Sequence, residues 1–360
     1  MFKRIIALLC VLVLTACSTV ALAADGMTTT TKNDKTSIKI KKSYPDNPVV
    51  EGVSPTTGLP ASGEVYTPIL MVLDNAESAY PHWGVSDADI IFQIPNAGAG
   101  ATKLMALFAD HYPEQAGGVR SARATMVPVA AAFEAAFAYA GQPPFQNQDG
   151  INPEYLMRKW NMKKTSRNYN LLGNLYRERV TFEDEPHNLS CQILKIHENL
   201  IKEKTKFTPR PFLFTDEPLT GGADATYIEV AHHGDSLDKA SNPASFAYFT
   251  YQPETNGYIR TNSSGPYSDR FTGEVLSFSN VIVLRSKFVW HDGYFYFNKH
   301  LTGSGVAEIF QNGQYVRGAW YRQKETSRFV ILGPDGKELP MQRGKSFIVV
   351  TNAVTEVSYK

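Results

Sequence analysis

The hydrophobic residues of this chain fall into continuous runs that predict its first strands. Residues 68–73, 90–94 and 104–108 are apolar throughout or almost throughout and are bounded by polar residues. Runs of this length without alternation are typical of strands that are buried on both faces. The first run is therefore expected to be a strand buried on both faces, and the other two runs are expected to be further strands.

Helices are expected around and after these strands. The apolar run over residues 126–137 predicts a buried helix that starts near Thr125. Further helices are predicted at residues 153–160, 169–178 and 188–204, the last with one apolar face and Asn188 as its N-cap. Strands that alternate with helices indicate an N-terminal α/β domain with a mixed sheet over residues 54–208.

The pattern changes after a connection at residues 209–244. Residues 245–360 hold short β-rich runs separated by turn signals such as Gln311-Asn312-Gly313. This pattern of short β-rich runs and turns predicts a C-terminal, mostly antiparallel β domain. The fold class is therefore an α+β protein in two parts, and the size of the chain allows either one large core or two ordinary ones.

The N-terminus predicts export and a lipid anchor. Lys3 and Arg4 precede a short apolar segment, so residues 1–16 read as a signal peptide. Leu14-Thr-Ala-Cys17 resembles a lipobox, which makes Cys17 the lipidated N-terminus and the membrane the first partner. A competing cleavage after Ala23 stays open and would give a protein without an anchor. Residues 17–53 are polar and are expected to form a flexible tether.

Net charge limits the classes of partner that are expected, and cysteine content limits the disulfides that can form. The formal net charge is +1, and it becomes −1 once Lys3 and Arg4 leave with the signal peptide. A balance this close to zero argues against nucleic acid as a partner. Removal of Cys10 and acylation of Cys17 would leave Cys191 alone, which excludes an internal disulfide and favours a small core residue on an amphipathic helix.

Residues 117–123, Gly-Gly-Val-Arg-Ser-Ala-Arg, are the strongest candidate for chemistry. We call them the arginine segment. Arg120 and Arg123 stand just before the predicted helix at residue 126, where unpaired backbone N–H groups favour an anion such as phosphate or carboxylate. The alternative is that each arginine pairs with a carboxylate of its own domain, Asp74 or Asp89.

Other polar residues at the ends of predicted strands complete the candidate ligand-binding set. Asp74 and Asn75 follow the first strand, and Asp89 precedes the second. Strand ends are where α/β domains place their sites, so the aspartates are expected to face the arginines across a cleft, although Asp74 and Asn75 could equally turn the chain. Lys103, which lacks the glycine spacing of a Walker loop, and His187, which could alternatively cap the following helix, join the set.

Motifs for hydrolases and metals are missing from the sequence. It contains no His-Glu-x-x-His, no paired Cys-x-x-Cys and no Gly-x-Ser-x-Gly. His232 and His233 are adjacent and would point to opposite faces of a strand. Zinc hydrolase and serine hydrolase hypotheses therefore have little support, no metal site is predicted, and the cofactor is unknown.

Several motifs in order resemble the YerB-type lipoprotein family of bacteria, whose members carry two domains of unknown function. The residues that carry this resemblance lie at 54–60, 68–75, 84–90, 102–108, 118–123, 186–189, 269–273, 303–305, 311–313, 326–329 and 336–338. The resemblance implies an envelope location and a two-domain fold, and very little mechanism. Gln93 stands where the family commonly has an acidic residue, and Tyr139 opens a loop where a His-Ala-Gly-Gly-Ser-like sequence is usual. Any family activity that depends on those positions would be lost here.

These observations predict a membrane-anchored envelope protein that binds an anionic ligand such as a wall glycan, a lipid phosphate or a peptide carboxylate. Two alternatives stay open. One is an enzyme of phosphoryl or glycan chemistry that uses Asp74 or Asp89 with a divalent cation. The other is a protein-docking module without a ligand pocket. A cleft shared by the arginines and aspartates would favour the first two hypotheses, and separate buried ion pairs would favour the third.

Overall fold

The computed structural model describes residues 27–30, 38–96, 101–143, 152–162, 167–232, 245–291, 294–352 and 355–360. The predicted signal peptide and Cys17 lie outside these residues. Within the described part, no helix is long and apolar enough to span a membrane.

The first half of the described chain contains nine strands and three short helices. Two single 3-10 turns, at Glu77–Ala79 and Leu171–Gly173, accompany them. The elements in chain order are β1 (Thr28–Thr30), β2 (Ile69–Leu73), β3 (Ile90–Pro95), β4 (Thr102–Phe108), β5 (Ala116–Gly117), α1 (Val127–Ala132), β6 (Ala136–Tyr139), α2 (Pro153–Lys159), β7 (Asn168–Asn170), β8 (Arg177–Arg179), β9 (Leu189–Cys191) and α3 (Ile193–Lys202).

The second half, as far as it is described, is built from strands. They are β10 (Phe214–Thr215), β11 (Ala223–Asp224), β12 (Tyr227–Ala231), β13 (Ala247–Gln252), β14 (Gly257–Asn262), β15 (Gly265–Pro266), β16 (Ser277–Phe278), β17 (Asn280–Arg285), β18 (Phe288–His291), β19 (Tyr294–Phe297), β20 (Gly303–Gln311), β21 (Gln314–Arg322), β22 (Val330–Leu332), β23 (Met341–Gln342), β24 (Ser346–Thr351) and β25 (Glu356–Tyr359).

One large mixed sheet runs through both halves. Its order is β11-β21-β20-β17-β24-β3-β4-β2-β6-β7, with β22 beside β21. The two halves meet where β24 pairs in parallel with β3, in a register that joins Ser346 to Ile90 and Val349 to Gln93. The sequence pattern changes from strands and helices to short β-rich runs after residue 208, but this sheet is not interrupted there.

A second sheet, antiparallel throughout, covers part of the first. Its order is β1-β25-β12-β13-β14-β15, with β16 beside β14. Phe249 on β13 and Phe278 on β16 pack edge-on against Phe347 of β24, with ring centroids 5.1 and 5.2 Å apart. The antiparallel C-terminal strands thus share their core with the mixed sheet.

The three strands predicted in the first third, the first of them as buried on both faces, are found as β2, β3 and β4. Apart from Lys103, which is half-buried, all of their residues are buried. The α/β character predicted for residues 54–208 is not confirmed, because this part of the described chain has more strand than helix.

Three predicted helices differ from the structure. The apolar run at 126–137 forms only the six-residue helix α1, because Glu134 adopts a positive φ of 52° and the chain continues as β6. Residues 169–178 contain a 3-10 turn between two short strands instead of an α-helix. The third helix starts at Ile193 after Gln192, since residues 189–191 form β9, so Asn188 is not its N-cap.

Part of the predicted tether is packed against the folded chain. Ile38, Ile40 and Tyr44 pack against a cluster formed by the C-terminal strands. Arg328 Nη2 donates a hydrogen bond to the Pro45 carbonyl at 2.6 Å. The described residues before position 53 therefore lie along the C-terminal half.

Candidate functional site

Asp74 is the centre of a cluster of basic side chains at the carboxyl end of β2. Its side chain is only 2% exposed. Lys103 Nζ donates to Oδ1 at 2.8 Å, and Arg120 Nε donates to Oδ2 at 2.5 Å. Burial alone would raise the pKa of this carboxyl group, but Lys103 and Arg120 hold the pKa well below its usual range. Asp74 is therefore an ionised, fully paired carboxylate.

The arginine segment reaches Asp74 because its backbone runs beside the end of β2. The Asp74 N–H donates to the Gly118 carbonyl at 3.0 Å, and the Arg120 N–H donates to the Val72 carbonyl at 3.1 Å. These two bonds bring the Arg120 side chain beside the carboxylate that follows the strand. The position depends on backbone pairing, and the short helix α1 takes no part in it.

Glycine at position 118 allows a second chain segment to approach. A Cβ atom at Gly118 would lie 2.1 Å from the His187 carbonyl oxygen. The Val119 N–H donates to the Leu189 carbonyl at 2.7 Å and continues the contact. Any larger residue at 118 would push the His187 backbone away from Asp74.

His187 joins Asp74 to Ser78. Nδ1 of the imidazole lies 2.7 Å from Asp74 Oδ2, and Nε2 lies 2.8 Å from the Ser78 hydroxyl. Because the ionised carboxylate can only accept, Nδ1 carries a proton, and in a neutral imidazole Nε2 then accepts from the Ser78 O–H. Arg120 Nη2, 3.2 Å from the same Nδ1, is then a neighbouring donor and not a hydrogen-bond partner.

Among the described residues, positive charge exceeds negative charge in this cluster, because Lys103 and Arg120 share one carboxylate. Burial lowers the pKa of Lys103 and Asp74 opposes that shift, while the charges of Arg120 and Arg123 add to the lowering. The charge of Arg123 reaches Lys103 and adds to the positive potential of the cluster. Lys103 and Arg120 are 16% and 24% exposed, so solvent reaches the side chains that surround Asp74. Such a site can attract an anion.

Polar residues behind Asp74 connect the cluster to the C-terminal half. His82 Nε2 donates to the Asp74 carbonyl oxygen at 2.7 Å, so the His82 Nδ1 atom accepts from the Tyr267 hydroxyl at 3.3 Å. Burial, aided by the charge of Arg260, lowers the pKa of His82 to about 4. His82 is therefore a neutral structural link at neutral pH.

Asn75 takes part in the same supporting network. Its amide Nδ2 donates to Thr102 Oγ1 at 2.7 Å, and its Oδ1 accepts from the Tyr80 hydroxyl. The guanidinium of Arg260, fully buried, lies 3.3 Å from that hydroxyl through Nη1. Asn75 thus fixes the turn after β2 rather than facing solvent, since only 2% of it is exposed.

The structure brings together five predicted site residues: Asp74, Asn75, Lys103, Arg120 and His187. Arg123 borders them and donates from Nη1 to the Ala122 carbonyl at 2.9 Å. Arg120 pairs with Asp74, as the ion-pair alternative expected, and it shares that carboxylate with Lys103. The cluster combines features of the binding-site and ion-pair hypotheses.

Asp89 does not belong to this cluster, which corrects the prediction that both aspartates face the arginines. Strands β2 and β3 both pair antiparallel with β4 and so run in the same direction. Asp74 follows its strand and Asp89 precedes its own, so they lie at opposite ends of the sheet. Asp89 Oδ2 accepts from Thr56 Oγ1 at 2.7 Å and from the Ala109 N–H at 3.1 Å.

The enzyme hypothesis assigns a divalent cation to Asp74 or to Asp89. Both oxygens of Asp74 are taken by basic groups, and the second aspartate lies at the other end of the sheet. In the described part of the chain, no group of three or more His, Cys, Asp or Glu side chains is placed to hold a metal ion.

The two departures from the family pattern, Gln93 and Tyr139, lie in β3 and β6. Gln93 Nε2 donates to the Ser245 carbonyl at 2.6 Å and to Thr102 Oγ1 at 3.1 Å, so it contacts the hydroxyl that also binds Asn75. Tyr139, buried in β6, has its pKa raised to about 12 by burial. Cys191 is predicted to be a core residue on an amphipathic helix. It is buried, and burial raises its pKa, but it lies in strand β9 and not on a helix.

Sequence reasoning missed Ser78, His82 and Tyr267. Ser78 and His82 lie four and eight residues after Asp74, in the loop that leaves β2, and polar residues in such a loop are candidates by position alone. Tyr267 belongs to the other half of the chain, and only the tertiary fold brings it to His82.

Family models and one relative match most of the chain. The model described as the N-terminal domain of a protein of unknown function (DUF3048) matches residues 56–207, and its C-terminal domain model matches residues 238–348. The Bacillus subtilis (strain 168) protein named "Putative lipoprotein YerB" is 25% identical over 304 residues, which are 82% of this chain and 85% of that protein.

A solved structure supports the fold. The crystal structure of the YerB protein from Bacillus subtilis matches with a TM-score of 0.69 and 23% sequence identity, and the match covers 86% of this chain and 99% of that chain. At this identity, the likeness concerns the fold alone.

Proposed function

Because this chain belongs to the two-domain DUF3048 family, we propose that it is a lipid-anchored envelope protein that binds an anionic ligand at the Asp74 cluster. The observation that carries the proposal is the excess of positive charge around one buried carboxylate. Lys103 and Arg120 are two cations that contact the one carboxylate of Asp74, and the charge of Arg123 also reaches Lys103.

The ligand class follows from the donors. Guanidinium groups bind carboxylate and phosphate through planar, paired N–H donors, and an ammonium group adds a point charge. Lys103 Nζ and Arg120 each give Asp74 one hydrogen bond, which leaves further N–H donors on both side chains. A phosphate or carboxylate at the solvent side of the cluster would offset the remaining positive charge.

The anchor is proposed from the lipobox and from the lipoprotein name of the Bacillus subtilis relative. Acylation of Cys17 would hold the protein at the extracytoplasmic face of the membrane. Replacement of Cys17 by alanine should release the protein from the membrane fraction. Retention of the Cys17→Ala protein, or a mature N-terminus at Ala24, would contradict the anchor.

Binding is tested by the melting temperature of the full-length protein with inorganic phosphate, glycerol phosphate and acetate. A ligand that binds the native state raises the melting temperature. Arg123→Lys should weaken binding by about 1–3 kcal/mol, because lysine cannot present paired planar donors. Arg343→Lys is the matched control, since Arg343 pairs with Asp216 in the C-terminal half.

The docking-module hypothesis is the other outcome of this experiment. If none of the three anions raises the melting temperature of the folded protein, the cluster is a structural ion-pair network. The protein would then be a docking module that binds a partner protein through its surface and has no small-molecule site.

A further inference from the structure

Three side chains of the cluster form a continuous hydrogen-bonded series that ends at an exposed hydroxyl. Asp74 Oδ2 accepts from His187 Nδ1 at 2.7 Å, and His187 Nε2 accepts from Ser78 Oγ at 2.8 Å. Asp74 is buried, His187 is 15% exposed and Ser78 is exposed. The order runs from an interior carboxylate through an imidazole to a serine at the surface.

Each link has the donor and acceptor that proton transfer from the serine requires. Ionised Asp74 fixes the imidazole tautomer with its proton on Nδ1, which leaves the lone pair of Nε2 directed at the Ser78 hydroxyl. His187 is held from behind as well, because its backbone N–H donates to the Asp184 carbonyl at 2.8 Å and its carbonyl lies against Gly118. The base is therefore positioned by the backbone as well as by Asp74.

We propose that Ser78 is a nucleophile, with His187 as its general base and Asp74 as a positioning residue, and that the site transfers acyl groups from esters or amides to water. The geometry matches the roles of nucleophile, base and orienting carboxylate, which recur on unrelated folds without a common sequence motif. The lack of a Gly-x-Ser-x-Gly motif excludes only one way of presenting the serine. Here the serine lies in the 3-10 turn Glu77–Ala79.

The reaction proceeds in two balanced steps. Ser78 Oγ bonds to the carbonyl carbon while its proton moves to His187 Nε2, and the bond to the leaving group breaks as that proton passes to the departing oxygen or nitrogen. Water then attacks the acyl-serine ester, gives one proton to His187 Nε2, and releases the acid as the proton returns to Ser78 Oγ. No oxidant, reductant or metal ion is needed.

This activity shares Asp74 and His187 with the proposed anion site, but it does not require that an anion binds. An anionic substituent on the acyl compound would lie beside Lys103 and Arg123. The two proposals can therefore fail separately.

The test is covalent labelling of the full-length protein with a fluorophosphonate, followed by peptide mass spectrometry. In the expected result, the Ser78 oxygen displaces fluoride from phosphorus, the proton goes to His187, and the label maps to Ser78. Labelling should be lost in Ser78→Ala and in His187→Gln. The matched control is Ser263→Ala, which removes an exposed serine and should label like the wild type.

Two further variants keep the outcome clear if His187→Gln folds poorly. Ser78→Cys should react with iodoacetamide at least ~10-fold faster than Ser263→Cys, because an adjacent imidazole favours the thiolate. Asp74→Asn, on material that is folded by circular dichroism, should change the pH profile of labelling, since an amide permits the other imidazole tautomer.

Labelling of Ser78 no faster than that of other exposed serines, together with equal alkylation of the two cysteine variants, would overturn the proposal. Phosphate stabilisation of Ser78→Ala should persist in either case. If it persists and labelling is absent, only the nucleophile is refuted. If labelling occurs without any anion effect, only the anion site is refuted.

Discussion

Asp74 and Asp89 are both buried to 2% exposure at the ends of neighbouring parts of one sheet, yet they differ in charge environment. Asp74 contacts Lys103 and Arg120, which hold its pKa well below the usual range. Burial raises the pKa of Asp89 to about 6, and a hydrogen bond from Thr56 and the more distant charge of Lys345 only partly oppose the shift. The same residue type is a permanent anion at one end and titrates near pH 6 at the other.

The difference shows that burial alone does not make a charged site. A buried carboxylate is ionised at low cost only where full positive charges contact it directly. At the Asp74 end those charges outnumber the carboxylate, so the region can take another anion. At the Asp89 end the carboxyl group is held by neutral donors and has a structural role.

The largest expected effect comes from removing each negative charge in turn. Asp74→Asn should cost about 3–5 kcal/mol of unfolding free energy at pH 7, because Lys103 and Arg120 lose their compensating charge. Asp89→Asn should be neutral or slightly stabilising, since it removes a carboxylate that ionises with difficulty. Urea unfolding measures the unfolding free energy of both variants, and equal losses of unfolding free energy would contradict the prediction.

The two aspartates should also give opposite pH dependences. The folded pKa of Asp89, about 6 against 3.8 for the free residue, favours folding below pH 3.8 and loses that contribution as pH rises to about 6. About 2 pKa units correspond to about 3 kcal/mol. For Asp74 the contribution is present above pH 3.8 and is lost as pH falls through its lower folded pKa.

Unfolding free energies of the wild type and both asparagine variants between pH 3 and 8 test these slopes. The unfolding free energy of the wild type minus that of Asp89→Asn should decrease as pH rises. The unfolding free energy of the wild type minus that of Asp74→Asn should increase as pH rises. A common sign for the two slopes would show that both carboxyl groups have the same environment.

A smaller effect is expected from the lysine at each end. Lys103 Nζ donates to the Asp74 carboxylate, whereas Lys345 Nζ donates to the Ser86 and Ala88 carbonyls near Asp89. Lys103→Met should cost about 2 kcal/mol, because hydrogen bonds to charged groups contribute about 1.5–3 kcal/mol. Lys345→Met should cost about 1 kcal/mol. Chemical denaturation at pH 7 compares them, and a larger loss at Lys345 would contradict the assignment.

The approach of Arg120 to Asp74 could be predicted in part from the sequence. A polar residue after a buried strand and basic residues in a later loop suggested a common strand end, and the backbone bonds between Val72, Asp74 and the arginine segment produce it. The error at Asp89 came from treating residues before and after a strand alike. Because β2 and β3 run in the same direction, those positions lie at opposite edges.

Long-range pairing explains what the sequence could not provide. The parallel pairing of β3 with β24 joins residues more than 250 positions apart and merges the two predicted domains into one sheet. Local hydrophobic pattern contains no information on such pairing. It also cannot separate a buried helix from a helix followed by a strand, which is why residues 126–137 were predicted as a single helix.

The smallest expected effect concerns the hydroxyl that supports Asp89. Thr56 Oγ1 donates to Asp89 Oδ2 at 2.7 Å and stabilises its ionised form. Thr56→Val keeps the shape of the side chain and removes the donor, so the pKa of Asp89 should rise by less than about 1 unit, since one unit equals 1.36 kcal/mol. Stability should fall more at pH 7, where the carboxylate needs the donor, than at pH 4.

Thr57→Val is the matched control for this change, because the neighbouring Thr57 hydroxyl accepts from the Leu59 N–H at 3.3 Å. NMR titration of the Asp89 carboxyl carbon measures the shift in both variants. An upward shift confined to Thr56→Val would show that neutral donors, and not the distant lysine, limit the pKa of Asp89. An equal shift in both variants would place the control of Asp89 in general packing, and the contrast with the directly paired Asp74 would then rest on Lys103 and Arg120 alone.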